Sequence, residues 1–392
     1  MSKGLNSFIA VIQREVTRIF KDRVILFVSF IAPAFGMLMI WWIFSAGVIR
    51  DVPVAVVNYD QSEVSRQIAH MLDASAVIKI VDECPELLAA QELMERGKVN
   101  GIVVLPKDLE KELIRGLSPS IVVYINNINV VAGGILKSNI QTTLSTFSTG
   151  AKMQVQMKKG FTQQQAIERV MPIRLDTHIL FNPYTNYSYF LALGLIPLIV
   201  VVVCFLGTLY AVGSEIKDGS APELMHTAND NIFIAIIGKV LPHTLIYLFN
   251  ILLSSLLLIH FIGLPMHGNI WILLLSDVVL ILAYQSISLI FIALTSNLRL
   301  SLSLGSAYTM MALTFSGLTF PAFAMPKIAE LFSYLFPYTY WLQIFMNETL
   351  RSIPNLQLGQ AFLALLAFIF LSLFAFNKLE HIFTDKKYWG KS

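Results

Sequence analysis

Long runs of apolar residues constrain this chain more than any other feature. A helix needs about 20 mostly apolar residues to cross the hydrocarbon core of a bilayer. Six stretches approach that length, at 24–49, 186–212, 232–261, 270–296, 300–320 and 358–377. Of all residues 56% are hydrophobic and 14% charged, whereas soluble domains carry about 25% charged residues. The sequence therefore predicts an α-helical integral membrane protein with about six transmembrane helices, the one at 300–320 being the least apolar.

The segment 50–185 lacks such runs and predicts a water-exposed domain between the first two spans. Short apolar strands are predicted at 52–57, 77–81, 101–105 and 121–125, and helices at 62–72 and 85–97. Strands that alternate with helices indicate an α/β layer. The stretch 128–170 is compatible with one or two long helices, with Gly133-Gly134 and Gly150 as candidate breaks. We therefore predict an inserted α/β extracytoplasmic domain with long helices.

Basic residues flank the apolar runs unevenly and predict the orientation. The segment 1–23 and the tail 379–392 are both rich in Lys and Arg, and cytoplasmic segments are enriched in these residues. Both termini are then cytoplasmic, as is the loop 213–231, whereas the segment 321–357 lies outside. The charge pattern therefore predicts a multi-pass membrane protein with both termini on the cytoplasmic side.

Residues 5–22 predict an amphipathic helix at the membrane surface. Apolar residues recur at helical spacing from Phe8 to Phe20, and Arg14, Arg18 and Lys21 occupy another face. Such a helix places its apolar face in lipid and its cations among headgroups. The pattern favours a simple N-terminal anchor, and a helix that shares in docking a cytoplasmic partner is the alternative.

Motifs for chemistry are missing from the sequence. There is no phosphate-binding Gly-rich loop ending in Gly-Lys-Ser/Thr and no His-Glu-x-x-His zinc motif. The histidines are scattered, and Cys84 and Cys204 fall in different predicted regions. We therefore predict no catalytic residues, no metal site, no cofactor bound by this chain and no nucleic-acid partner.

The loop from Glu215 to Thr227 is the first candidate functional segment. Ser220 and Glu223 have the spacing of a capping box, and Gly219 before them permits a sharp turn. A capped helix carrying Glu223 and Leu224 would suit the docking of a soluble partner. An ordinary capped turn between two spans is the alternative.

Asp277 and Gln285, both inside the fourth apolar run, are candidate lining residues of a substrate pathway. A carboxylate within a bilayer is costly unless it is paired or faces water. A purely structural role for Asp277 is the alternative, with His260 or His267 as candidate partners.

The segment beyond the fifth run contains several residues that interrupt helices. They are Gly317, Pro321, Pro326 and Pro337. We interpret this segment as short re-entrant helices in the outer leaflet.

Taken together, these segments resemble the membrane subunit of ABC exporters of the ABC-2 permease class, in the branch with a large extracytoplasmic domain after the first span. The N-terminal stretch resembles the elbow helix of that family, and Glu215 to Thr227 its coupling-helix loop. Gly238-Lys239 is similar to the Gly-Lys that opens its third span. Ser316 to Pro321, with Met325-Pro326 and Pro337 to Tyr340, resembles its re-entrant segment.

The resemblance implies a permease that pairs with a second copy or paralogue and moves a hydrophobic or amphiphilic substrate outward. A separate ABC ATPase subunit would bind ATP and Mg and drive the coupling helix, and a periplasmic adaptor could continue the path. Two alternative hypotheses remain. The chain could be an ABC-coupled mechanotransmission subunit without a transported substrate, or an intramembrane enzyme.

Overall fold

The computed structural model describes residues 2–171, 176–351 and 356–390, which are mostly helical. The chain divides into two compact units. One consists of Met1–Gly47 with Leu180–Ser392, and the other of Val48–Ile179.

Two helices open the chain. They are α1, Ser2–Lys21, and α2, Arg23–Ile43. Asp22 separates them because its Oδ1 accepts the N–H groups of Val24 and Ile25 at 2.8 and 3.3 Å. Such an acceptor satisfies backbone donors that have no partner in the first turn of a helix.

The unit Val48–Ile179 is built on four strands, which overlap the four stretches predicted from the sequence. They are β1 Val52–Asn58, β2 Ile78–Cys84, β3 Gly101–Leu105 and β4 Val122–Ile125. The sheet order is β2-β1-β3-β4, with β1 parallel to β2 and β3, and β4 antiparallel to β3. The helices are α3 Glu63–Asp73, α4 Leu87–Glu95, α5 Leu109–Ile114, α6 Val130–Lys158 and α7 Gln163–Val170.

Both faces of the central strand β1 are buried. Val54 and Val56 pack in a core that α3, α5 and α6 complete on one face, whereas Ala55 and Val57 pack with Ala90 of α4 on the other. Successive side chains of a strand point to opposite faces. The sequence of a strand that is covered on both faces is therefore a continuous apolar run, as that of β1 is.

The expected helix breaks in this unit are wrong. Helix α6 continues through Gly133, Gly134 and Gly150. The chain turns instead after Lys158, where Gly160 has φ +89°. A glycine does not by itself end a helix, whereas a turn with a positive φ favours glycine, which adopts this conformation without a steric cost.

The remaining helices belong to the other unit. They are α8 Ser188–Lys217, α9 Ala221–Thr227, α10 Ile232–Phe261, α11 Ile270–Thr295, α12 Leu298–Phe315, α13 Lys327–Ser333, α14 Pro337–Met346, α15 Leu356–Leu371 and α16 Leu373–Thr384. A π-helical turn, Asn347–Arg351, follows α14. Of the predicted re-entrant segment 321–357, residues 352–355 lie outside the described chain.

Among the described residues, five helices are long and apolar enough to cross a membrane. They are α2, α8, α10, α11 and the segment Leu358–Thr384, which spans α15 and α16. Helix α12, at the fifth predicted span, is not among them, so a sixth crossing stays a prediction. Helices α8 and α11 are the most buried of the five, and α2 is the least.

Close approach of α8 and α10 depends on a glycine. A Cβ at Gly207 in α8 would lie 2.2 Å from the Tyr247 hydroxyl oxygen of α10. Real Cβ contacts are never this short, so Tyr247 occupies the space that a side chain at 207 would need. Small residues of this kind bring apolar helices together where no hydrophobic effect drives their association.

Candidate functional site

A buried carboxylate at the end of α8 is the centre of an ion-pair network. The Glu215 side chain has no exposed surface. Its oxygens accept the Arg14 guanidinium at 2.7 and 3.0 Å and the Lys239 ammonium at 2.8 Å. The Arg18 guanidinium and the Ser220 hydroxyl also donate to it. Glu215 thus joins α1, α10 and the turn before α9 to the end of α8.

Lys239 holds a second carboxylate of the network. Its ammonium, fully buried, donates to Glu15 of α1 at 2.5 Å, and the other Glu15 oxygen lies 2.9 Å from His243 Nε2. Burial alone would raise the pKa of Glu15. The Lys239 charge and the contact with His243 outweigh burial and hold this pKa below its ordinary value. Glu15 is therefore ionised at neutral pH although it is buried.

The sequence of α1 explains how these groups come together. Val11, Glu15 and Ile19, spaced four apart, form the face that is buried in the bundle. Leu5, Ile9, Val16 and Phe20 form a separate exposed apolar stripe. The predicted amphipathic helix is therefore three-sided. One side packs on α10, one is apolar and exposed, and one carries Arg14, Arg18 and Lys21.

Gly238 lets α1 approach α10 closely enough for the network to form. A Cβ at Gly238 would lie 2.9 Å from Val11 Cγ1 and 3.1 Å from Val11 Cβ. The next residue, Lys239, then reaches both Glu15 and Glu215. The Gly-Lys pair thus has a physical reason: one residue provides the contact surface and the other the bridging charge.

The loop after α8 differs from the predicted capping box. Ser220 does precede α9, but its side chain makes no cap hydrogen bond. Its backbone, at φ −90° and ψ 0°, is not in the extended conformation of an N-cap residue, and its hydroxyl is turned towards Glu215. Gly219 adopts φ +69°, as the sharp turn requires. Glu223 is 80% exposed with Arg14 Nη2 at 4.0 Å, whereas Leu224 is fully buried. Glu223, unlike Leu224, is therefore available to a partner.

A cleft of about 570 Å³ opens beside this loop. It lies between α1 and the end of α8. Its wall on the α1 side is cationic, and Asp22 and Asp218 are its acidic residues. The lining residues are Arg14, Thr17, Arg18, Lys21, Asp22, Asp218 and Ser220. Arg14, Arg18 and Ser220 therefore connect the buried network with this recess.

The C-terminal tail packs against the same loop. The Gly390 N–H donates to the Ile216 carbonyl at 3.1 Å, and the Trp389 indole N–H donates to the Ile382 carbonyl at 3.1 Å. A Cβ at Gly219 would lie 4.0 Å from Trp389 Cβ. The last two residues of the predicted basic tail, 391–392, lie outside the described chain.

Asp277 and Gln285, the two candidate residues for a substrate pathway, are buried in the bundle, and their hydrogen-bond partners are uncharged groups. Asp277 accepts the Trp341 indole N–H at 2.8 Å and the Ser255 hydroxyl at 3.2 Å. The Gln285 side-chain oxygen accepts the Thr244 hydroxyl at 2.8 Å. His260 and His267, considered as partners of Asp277, are both exposed, so that expectation is wrong.

Comparison with known proteins decides the family. Residues 23–376 match the family described as ABC-2 family transporter protein. The chain belongs to this family. It is also 23% identical, over 84% of each chain, to the probable multidrug ABC transporter permease YbhS of Escherichia coli strain K12 and to that of strain O157:H7. Membership of the ABC-2 family makes the chain a membrane-embedded permease subunit whose complex includes an ABC ATPase.

Sequence reasoning missed most of the partners in this ABC-2 chain. It selected Glu215, Gly219 and Ser220, but not their link to Glu15, Lys239 and His243. The spacing of Arg14 and Arg18 indicated only a cationic face. The helical period of Glu15 with Val11 and Ile19 was the available signal, because a carboxylate in an otherwise buried stripe needs a counter-charge or several hydrogen-bond donors.

The proline and glycine positions of the segment after α12 coincide with chain turns. Gly317 has φ +86°, Pro326 is the residue before α13, and Pro337 is the first residue of α14. Pro321 precedes a short 3-10 turn, Ala322–Ala324. The segment thus consists of short helices. Its re-entrant position in a membrane stays a prediction.

Proposed function

We propose that this protein is the permease subunit of an ATP-driven exporter that moves a hydrophobic or amphiphilic substrate outward. In this proposal both termini and the α8–α9 loop face the cytoplasm of a bacterial inner membrane, α12 is a further span, and the unit Val48–Ile179 faces outward. A separate ATPase docks at α9 and binds ATP and Mg. Two permease copies or paralogues pair, and the outward unit is available to a periplasmic adaptor.

The buried ion-pair network carries this proposal. A force applied to the partly exposed helix α9 reaches Glu215 through Ser220, and Glu215 is bonded to α1 and α10. Charge-assisted hydrogen bonds are about twice as strong as neutral ones. Their loss from a buried site is costly, so the connected helices move together. An ATPase that displaces α9 would therefore move the ends of α8 and α10 as well.

The test is co-purification with the ATPase subunit, followed by an ATP hydrolysis assay. Glu223→Arg reverses an exposed charge of α9 and is expected to weaken ATPase binding by about tenfold, roughly 1.4 kcal/mol, while the permease stays folded. Glu95→Arg, at an exposed glutamate of the other unit, is the matched control. Leu224→Ala is a poorer probe, because truncating a buried leucine itself costs about 2–5 kcal/mol.

Normal ATPase binding and hydrolysis in the Glu223→Arg complex would contradict docking at α9. If no ATPase co-purifies with the wild-type protein in several detergents, the exporter proposal fails. A complex that hydrolyses ATP but exports no lipophilic dye from vesicles would favour the mechanotransmission alternative.

A further inference from the structure

Two buried carboxylates lie outside the ion-pair network. Asp277 has no exposed surface and Glu348 is 3% exposed. Within the described chain, neither has a cation at ion-pair distance. A buried carboxylate without a counter-charge must be stabilised by hydrogen-bond donors, and these donors reveal what each carboxylate does.

Glu348 binds the start of α11. Its Oε2 accepts the N–H of Asn269, the residue that caps α11, at 2.5 Å. The Gly268 N–H donates to the Glu348 carbonyl at 2.7 Å, and the His267 N–H donates to the Thr349 carbonyl at 3.3 Å. The negative charge also lies at the positive end of the helix dipole. The turn after α14 is therefore fixed to the N-terminus of α11.

Gly268 is needed for this contact. A Cβ there would lie 2.2 Å from Glu348 Oε2 and 2.9 Å from Glu348 Cα. The backbone of Glu348 thus occupies the space of a side chain at 268. The two segments approach as closely as their backbones allow.

Asp277 makes the reciprocal contact deeper in the bundle. Here α11 provides the carboxylate, and the fully buried Trp341 of α14 provides the donor at 2.8 Å. Asn269 and Asp277 are eight residues apart, about 12 Å along a helix, and Trp341 and Glu348 are seven apart, about 10 Å. The two contacts therefore match in spacing on helices that run in opposite directions. A slide of one helical turn would break both.

The hydrogen bonds that join α14 and the residues just before it to α8 and α12 are weaker than those to α11. Towards α8, the Tyr338 hydroxyl donates to the Gly194 carbonyl. Towards α12, the Tyr308 hydroxyl donates to the Leu335 carbonyl, just before α14, at 2.8 Å. Both are neutral hydrogen bonds, whereas the contacts with α11 involve two carboxylates. Hydrogen bonds to charged groups contribute more than neutral ones.

We propose that Asp277 and Glu348 are positioning residues that lock α14 in register against α11, so that α14 closes the outer end of the bundle and moves with α11 when it opens. Asp277 then acts as a hydrogen-bond acceptor and does not line a substrate pathway. The opening seam lies between α14 and α8. This inference rests on the proposed orientation, in which α14 is at the outer surface.

The first test compares conservative and truncating variants in vesicles loaded with carboxyfluorescein. Asp277→Ala and Glu348→Ala remove the acceptors and are expected to increase passive dye leak by about tenfold, since loss of a hydrogen bond to a charged group shifts an equilibrium by at least about that factor. Asp277→Asn and Glu348→Gln keep an acceptor oxygen but lose the charge, so they are expected to leak more than the wild type and clearly less than the Ala variants. Size-exclusion profiles establish that each variant is folded.

Equal leak from the Asn and Ala variants at 277 would overturn the proposal, because the acceptor oxygen at this position would then have no part in closing the bundle. Wild-type leak from both Ala variants would overturn it as well. The leak assay contains no ATPase, so its result is independent of whether the ATPase docks at α9.

A second test locates the seam by cross-linking in a Cys84→Ser, Cys204→Ala background. A cysteine pair at His267 and Thr349 joins α14 to α11, and the oxidised complex is expected to retain ATP-driven dye export. A pair at Gly194 and Tyr338 joins α14 to α8 through a reducible dithiol cross-linker, because the contact is made by the end of the Tyr338 side chain and a direct disulfide needs Cα atoms within about 7 Å. This cross-link is expected to stop export until it is reduced. The reverse pattern would place the seam between α14 and α11 and overturn the proposal.

Discussion

At the scale of single residues, the network shows how a membrane protein keeps charges in a buried place. Lys239 is shared by Glu15 and Glu215, and Glu215 is shared by Lys239, Arg14 and Arg18. Each charge has at least one opposite charge within hydrogen-bond distance. Removal of any one charge is therefore expected to destabilise the fold, because an unpaired buried charge costs far more free energy than a paired one.

Replacement of Lys239 tests this dependence. Lys239→Met leaves Glu15 without its ammonium partner and is expected to destabilise the protein by about 3–5 kcal/mol, the usual cost of breaking a buried pair. Adding Glu15→Gln removes the stranded charge and is expected to recover part of the loss. The thermal unfolding midpoint in detergent measures both effects.

The matched control for this test is Lys98→Met, at an exposed lysine of the other unit, which is expected to leave the midpoint unchanged. If Lys239→Met and the double variant unfold at the same temperature, Glu15 is not the group that Lys239 stabilises.

At the scale of elements, α1 is a part of the bundle rather than an appendage. Its Val11 side chain packs on Gly238 of α10, and its Arg14, Glu15 and Arg18 are members of the network. Its remaining apolar stripe is exposed and fits a lipid surface. One helix thus joins the membrane interface, the third span and the loop at which we propose ATPase docking.

Gly238→Val tests the packing of α1. The added side chain would overlap Val11 and is expected to cost about 1–3 kcal/mol, as overpacking usually does, by displacing α1 from α10. A cysteine placed at the buried Ile19 reports the displacement through faster labelling by a maleimide. Gly359→Val is the control, since a Cβ at Gly359 would meet no atom within 4 Å. Unchanged labelling in the Gly238 variant would mean that α1 adjusts without separating.

At the scale of the whole molecule, the chain combines two units that differ in where their apolar side chains lie. The unit Val48–Ile179 has its own sheet and two apolar cores, one on each face. The helices of the other unit expose large apolar side chains, among them Phe35, Trp42 and Phe374. Lipid or a second permease copy must cover such a surface, because in water it would favour aggregation.

The two cores predict that the inserted unit folds by itself. A fragment of residues 48–179 is expected to unfold in one cooperative transition, with a free energy in the usual range of about 5–15 kcal/mol. Denaturation followed by circular dichroism measures it. Val54→Asp, which buries a charge in the central strand, is expected to abolish the transition, whereas Val122→Asp, on the exposed side of the edge strand, is not. A fragment without a cooperative transition would show that the unit needs the rest of the chain.

The sequence by itself determined the membrane class, most of the long helices and the strands of the inserted unit. These features depend on local period and hydropathy, which a single sequence records directly. It also placed Glu215, Gly219 and Ser220 in one loop.

Only the tertiary structure decided the partners: Lys239 for Glu15 and Glu215, Trp341 for Asp277, and Asn269 for Glu348. These residues lie 24 to 224 positions apart. The same reason explains the capping box that did not form. Local spacing allowed Ser220 to cap α9, but the buried Glu215 draws the Ser220 hydroxyl towards itself and away from the start of α9. The burial of Glu215 arises only when α1, α8 and α10 pack together.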